Sequence, residues 1–207
     1  MSTIGVFRGI LATAAVVGAV QLAGMAQDVE RADRQGRADR VERPFAKGGR
    51  IVMDLSAGGY TIRGGAVDSI RVRWETRDPR DMSSVRTDVS VNGTTAVIRT
   101  RGPKNNFQVD MDVPARADIQ LDLSAGDLTL RGVEGSKSVS MWAGDVTMEV
   151  GDPQLYRSVD VTVRAGEISA GPFGGTRGGL FRSYRWNGPG KYSIVAKLTA
   201  GEIRLVK

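Results

Sequence analysis

Five short segments of this chain share one pattern: S-A-G-G-Y-T-I from Ser56, S-A-G-D-L-T-L from Ser124, W-A-G-D-V-T-M from Trp142, R-A-G-E-I-S-A from Arg164 and T-A-G-E-I-R-L from Thr199. An alternating apolar run precedes each Ala-Gly pair: Ile51, Met53, Leu55; Ile119, Leu121, Leu123; Val139, Met141; Val159, Val161, Val163; and Ile194, Ala196, Leu198. Alternation resumes after it, as at Leu128 and Leu130 or Ile203 and Leu205. Period-two patterning marks strands with one apolar face. A two-strand corner of this size has no core of its own, so it must stack on copies of itself. Gly58, Gly126, Gly144, Gly166 and Gly201 mark the corner, where the chain turns sharply or takes positive φ.

Successive corner glycines lie 68, 18, 22 and 35 residues apart. The two short spacings suit one turn of a coil whose equivalent strands stack about 4.8 Å apart. The expected fold is therefore all-β, a single-stranded β-solenoid of β-helix-like stacked coils. Its long first gap carries an N-terminal β-meander or hairpin elaboration, because Asn92-Gly93 between two alternating runs is a hairpin signal. That elaboration reads as a cap, since open solenoid ends expose pairing groups.

The last gap, from Gly171 to Gly190, is so rich in glycine that much of it is expected to be loop. Arg182, Tyr184, Arg185 and Trp186 stand in it beside Phe173, Arg177 and Phe181. Arginine mixed with aromatics makes a candidate interaction surface. The competing role is a lid over the open end of the core. It is preferred here because aromatics are only 6% of the chain.

Composition removes whole classes of chemistry. The chain has no cysteine and no histidine, which excludes disulfides, thiolate zinc sites, cysteine nucleophiles and a Ser-His-Asp triad. Residues 1–26 place Arg8 before an apolar run from Ile10 to Val20 and end on Gly24-Met25-Ala26. These are the parts of a secretory signal peptide, with an uncleaved membrane anchor as the alternative. Residues 27–43 repeat arginine every third position among acids, with little to bury, and read as a charged flexible tether. Residues 44–207 then form the β-solenoid domain. With export, a net charge of +6 points to an envelope polymer, a polysaccharide or a protein rather than to nucleic acid.

S-A-G-D-L-T-L and T-A-G-E-I-R-L resemble the G-S-G-D-I type repeats of a bacterial putative adhesin family, a domain of unknown function. The likeness extends over V-R-W-E, T-D-V-S-V-N-G-T-T-A-V-I-R-T, D-M-D-V-P-A-R-A-D-I-Q-L-D-L and the terminal G-K-Y-S-I-V-A-K-L-T-A-G-E-I-R-L. The resemblance covers most of the chain after Pro44 and implies an exported β-solenoid without known catalytic residues. Gly59 stands where the other corners have an acid, and the stretch from Gly171 departs from a plain repeat.

Three patterns bear on chemistry. Asp127, Asp145, Glu167 and Glu202 follow the corner glycine and would form a repelling column if the turns stack. One acid per turn is too few for calcium, so corner capping is expected and no metal or cofactor is assigned. Asp110 with Asp112, and Asp118 with Asp122, lie on strand faces as carboxylates of a glycosidase would, or as ordinary wet-face residues. Gly132 to Ser138 fails the spacing of a phosphate loop. The functional expectation is a noncatalytic, exported envelope or cell-surface interaction module, located in the periplasm, on the surface or outside the cell. The alternatives are a carbohydrate-active enzyme using strand-face carboxylates and a periplasmic structural or sensory partner.

Overall fold

The computed structural model describes residues 40–103 and 105–207. The targeting segment, and all but the last four residues of the stretch read as a tether, lie outside the described residues. The strands are β1 (Arg40–Pro44), β2 (Gly49–Leu55), β3 (Gly58–Gly65), β4 (Ser69–Thr76), β5 (Arg86–Asn92), β6 (Thr95–Arg101), β7 (Phe107–Pro114), β8 (Ala117–Arg131), β9 (Lys137–Glu149), β10 (Tyr156–Ala170), β11 (Gly175–Asn187) and β12 (Tyr192–Val206). They form one 12-stranded sheet that does not close.

Each corner strand is buried on alternate residues, and the buried set changes parity at the corner. In β8 the buried residues are Ile119, Leu121 and Leu123 before the bend, then Leu128 and Leu130 after it. Met141 to Val146, Val163 to Ile168 and Leu198 to Ile203 repeat that five-residue step. The odd step is what lets both limbs aim their apolar sides into one core after the chain has turned. The buried residues of both limbs belong to a single cluster.

The corners stack in register. Gly58 pairs with Gly126, Gly126 with Gly144, Gly144 with Gly201 and Gly201 with Gly166. Gly126, Gly144, Gly201 and Gly166 have φ of 123°, 121°, 129° and 140°. A Cβ on any of these four would run into the carbonyl oxygen of its stacked neighbour. Glycine is required twice over, by backbone conformation and by the approach of one chain to the next.

The order along the stack is not the order along the chain. β12 lies between β9 and β10, parallel to both, so the fifth corner is inserted between the third and the fourth. A simple succession of coils would have placed Gly166 on Gly144. The cause lies in the segment after β10: the chain turns at Gly174, φ 80°, and returns antiparallel along one edge of β10 as β11. Only the other edge of β10 remains for β12, whose Ile194, Ala196, Leu198, Ile203 and Leu205 are all buried there.

Two sequence expectations are corrected. The stretch from Gly171 to Gly190 is mostly strand rather than loop, because β11 pairs with β10 from Ser158–Asn187 to Ala170–Gly175. Arg40–Arg43, read as tether, belong to β1, which pairs with β4 and buries Val41. Towards that end of the sheet, β6 and β7 add a further layer parallel to β2 and β3 without an Ala-Gly corner. β5 folds back on β6 through Asn92-Gly93, and β4 lies antiparallel on β7.

Candidate functional site

At the β11 end of the sheet the four residues singled out in the sequence divide between two roles. Tyr184 is buried and its hydroxyl donates to the Phe173 carbonyl at 2.6 Å. Trp186 is half-buried with its ring 4.8 Å from that of Phe173, which meets Tyr156 edge-on at 6.0 Å. Tyr156, Phe173 and Tyr184 belong to the core cluster, and Trp186 packs against it. Arg185 and Arg182 face outward: the Nε of Arg185 reaches Asp160 at 3.3 Å, and the Nε of Arg182 donates to the Gly178 carbonyl at 2.8 Å.

The apolar groups left exposed sit elsewhere than expected. Leu180 is 65% exposed, Phe181 80% and Trp142 68%. Register places Trp142, Thr199, Arg164 and Phe181 in successive strands along the corner line. Three strand steps put Trp142 about 14 Å from Phe181. Phe181 also has φ of 51°, a left-handed conformation that costs a bulky residue about 1–2 kcal/mol. The neighbouring sequence signalled the aromatics but not which would face out.

The acid column follows stack order as Asp127, Asp145, Glu202 and Glu167. Its repulsion is relieved from within: Asp145 accepts the backbone N–H of Glu202 at 3.0 Å, and Arg204 pairs with Glu202 at 2.6 Å. Among the described residues no three acids converge as a metal site would need.

Asp110 and Asp112 are tied to arginines. Arg63 reaches Asp110 at 2.6 Å and Asp112 at 3.9 Å, while Asp112 also meets Arg73 at 2.9 Å and Arg71 at 3.8 Å. Arg71 continues the chain of charges to Glu42, whose carboxyl is held below its usual range by hydrogen bonds from Arg71 and Ser69. Asp110 borders a 580 Å³ groove with Arg40, Arg73, Trp74, Glu75 and Gln108. Asp118 accepts the backbone N–H of Ser136 at 2.7 Å. Partly exposed pairs of this kind hold register more than they stabilise, so Asp110→Asn with Asp112→Asn should cost about 1 kcal/mol, a fall of roughly 2–4 °C in Tm. Thermal unfolding of the double variant checks it; a far larger fall would mean the ladder is structural in a stronger sense.

One group entered the sequence reading only inside the rejected phosphate-loop stretch from Gly132 to Ser138. Lys137 occupies a core position between Ile119 and Ile194 of the adjacent strands and is 1% exposed. Its Nζ donates to the Tyr156 hydroxyl at 2.5 Å and to the Gly135 carbonyl at 3.3 Å. Burial lowers it from an ordinary 10.5 to about 8, against the opposing pull of Asp118, Glu134 and Glu149. Glu134, Glu149, Asp152, Tyr156 and Tyr192 border a 240 Å³ cavity beside it.

No family model and no curated protein matches the chain. Solved structures do resemble it. A putative cell adhesion protein from Clostridium sporogenes aligns over 80% of this chain and 97% of its own, with 13% identity and a TM-score of 0.48. A putative adhesin from Parabacteroides distasonis aligns over 83% and 71%, with 13% identity and a TM-score of 0.26. No helix among the described residues is long and apolar enough to cross a membrane.

Proposed function

We propose that the chain is a noncatalytic, exported, adhesin-like interaction module of the cell envelope or surface, built as a β-solenoid that begins with β1 at Arg40 and stands behind a signal peptide and a charged tether. The observation that carries this reading is the pair Leu180 and Phe181. Both are largely exposed in a chain poor in aromatics, and Phe181 is held outward in a strained conformation. Strain kept at an exposed ring points to a contact that uses the ring. Arg164 lies opposite Phe181 in register, and Arg177 lies three residues before Leu180 on β11; both add positive charge. The arginine pairing of Asp110 and Asp112 leaves the strand-face carboxylates engaged, which favours a binding role over glycoside cleavage.

Phe181→Gly separates binding from folding. Glycine relieves the left-handed strain, so Tm should hold or rise while capture of the protein on isolated envelopes of producing cells falls about tenfold, a loss near 1.4 kcal/mol. Unchanged capture would overturn the reading. Protease added to intact cells locates the target: digestion of the chain fits a surface role, and protection until the outer barrier is opened fits a periplasmic partner.

A further inference from the structure

Among the described residues β11 stands last in the strand order and pairs with β10 alone. It has 13 residues, whereas β1 and β5 near the opposite end have five and seven. An edge strand presents a row of unpaired backbone N–H and C=O groups to any extended chain that approaches. Positive φ at Gly179 and Phe181 interrupts β11, and Arg182 covers the Gly178 carbonyl. The uninterrupted part is therefore Arg182–Asn187, about 20 Å long. It is also held rigidly, by the Tyr184 hydrogen bond to Phe173 and by Trp186 against the Phe173 ring. A strand already fixed in shape loses little freedom on pairing.

Charge selects among possible occupants. β11 carries Arg177, Arg182 and Arg185 and no acid. Of these only Arg185 has a carboxylate partner among the described residues, Asp160 at 3.3 Å. A second copy laid along the same edge would set arginines against arginines, which opposes pairing. An extended segment bearing carboxylates would meet both the backbone groups and the arginines.

We propose that the free edge of β11, from Arg182 to Asn187, takes up an extended acidic peptide segment of a partner protein as an added strand. This rests on the reading of the β11 end as the interaction surface. Backbone pairing supplies the affinity, and the arginines select the charge of the partner.

The test uses the full chain and a fluorescein-labelled peptide of alternating aspartate and valine, followed by fluorescence anisotropy. Binding should weaken about tenfold when alternate peptide nitrogens are methylated, since each removes a backbone hydrogen bond. It should weaken about as much in Arg182→Ala with Arg185→Ala, and amide exchange at residues 182–187 should slow when peptide is added. Equal binding of the methylated peptide would overturn the proposal in favour of a purely ionic contact. Binding to phosphatidylglycerol vesicles but not to the peptide would overturn it in favour of a membrane surface, and dimerisation through β11 in favour of a second copy. If Phe181→Gly abolishes envelope capture while the peptide never binds, strand addition falls and the interaction module stands. If the wild-type chain is not captured either, both fall.

Discussion

Gly144→Ala is expected to leave no folded protein under conditions where the wild type is fully native. Gly144 sits inside the stack with φ of 121°, its added Cβ directed into the carbonyl oxygen of Gly126 while its own carbonyl faces Gly201. The atom in the way is backbone, so no side chain can swing aside. Relief would require Gly126 or Gly144 to leave a parallel ladder that continues on both sides through Met141–Leu123 and Val146–Leu128. Left-handed strain alone costs about 1–2 kcal/mol. Opening the ladder exposes buried neighbours on two strands and should bring the loss beyond about 4 kcal/mol, comparable with the whole stability of a small domain. Two other glycines separate the terms. Gly93, at the hairpin tip with φ of 57° and nothing within 4 Å of an added Cβ, pays strain without collision. Its alanine variant should lose about 1 kcal/mol. Gly65 has open space and no positive φ, so alanine there should be close to neutral. Urea unfolding followed by far-ultraviolet circular dichroism ranks the three. A Gly144 variant no worse than the Gly93 variant would mean that the corners do not touch.

That collision was foreseeable in kind but not in detail. The repeated Ala-Gly pair and the alternating runs around it predict strands that bend at a glycine and need a copy beside them, because both follow from local patterning. Which copy lies beside which is not local. Gly144 is 22 residues from Gly166 and 57 from Gly201, yet its stack partner beyond Gly126 is Gly201. The cause is the return of the chain as β11, where glycines and arginines hide a strand whose Tyr184 and Trp186 do alternate inward. The partners of Asp112 show the same limit: Arg63, Arg71 and Arg73 come from strands 39 to 49 residues earlier in the chain. Two acids on one face of β7 look alike whether they await a substrate or three arginines. Lys137 was hidden for a different reason. It is in phase with Val139 and Met141, but residue type argued for solvent while position argued for the core.

That conflict makes Lys137→Met the second large effect, and here the variant should be the more stable protein. The folded chain holds Lys137 at about 8 because burial penalises its charge, whereas the unfolded chain holds it near 10.5. Below pH 8 both states carry the proton and the folded state bears the full penalty of the buried charge. Between about pH 8 and 10.5 the unfolded chain binds the proton that the folded chain has released, so wild-type stability rises with pH. The whole rise is at most about 3–4 kcal/mol at 1.36 kcal/mol per pH unit. Tyr156 acts in the opposite sense above pH 10. Burial, then Tyr192 and Glu134, push its hydroxyl well up, so the unfolded tyrosine ionises first and stability falls. Asp118 from β8, Glu134 from the preceding turn and Glu149 from β9 face the ammonium and moderate the penalty without removing it. A methionine between Ile119 and Ile194 keeps the volume and discards the charge, a replacement that often stabilises by 1–4 kcal/mol at buried ionic sites. The Tyr156 hydroxyl loses its partner in exchange, at a cost of about 1 kcal/mol. The net expectation at pH 7 is a gain of about 1–2 kcal/mol, with the wild-type rise between pH 8 and 10 absent from the variant. Urea midpoints of both proteins at pH 7, 8, 9 and 10 decide it. A flat wild-type profile, or a variant weaker at pH 7, would mean that the ammonium is satisfied where it lies and that its bond to Tyr156 holds β9 to β10 more strongly than its burial drives them apart.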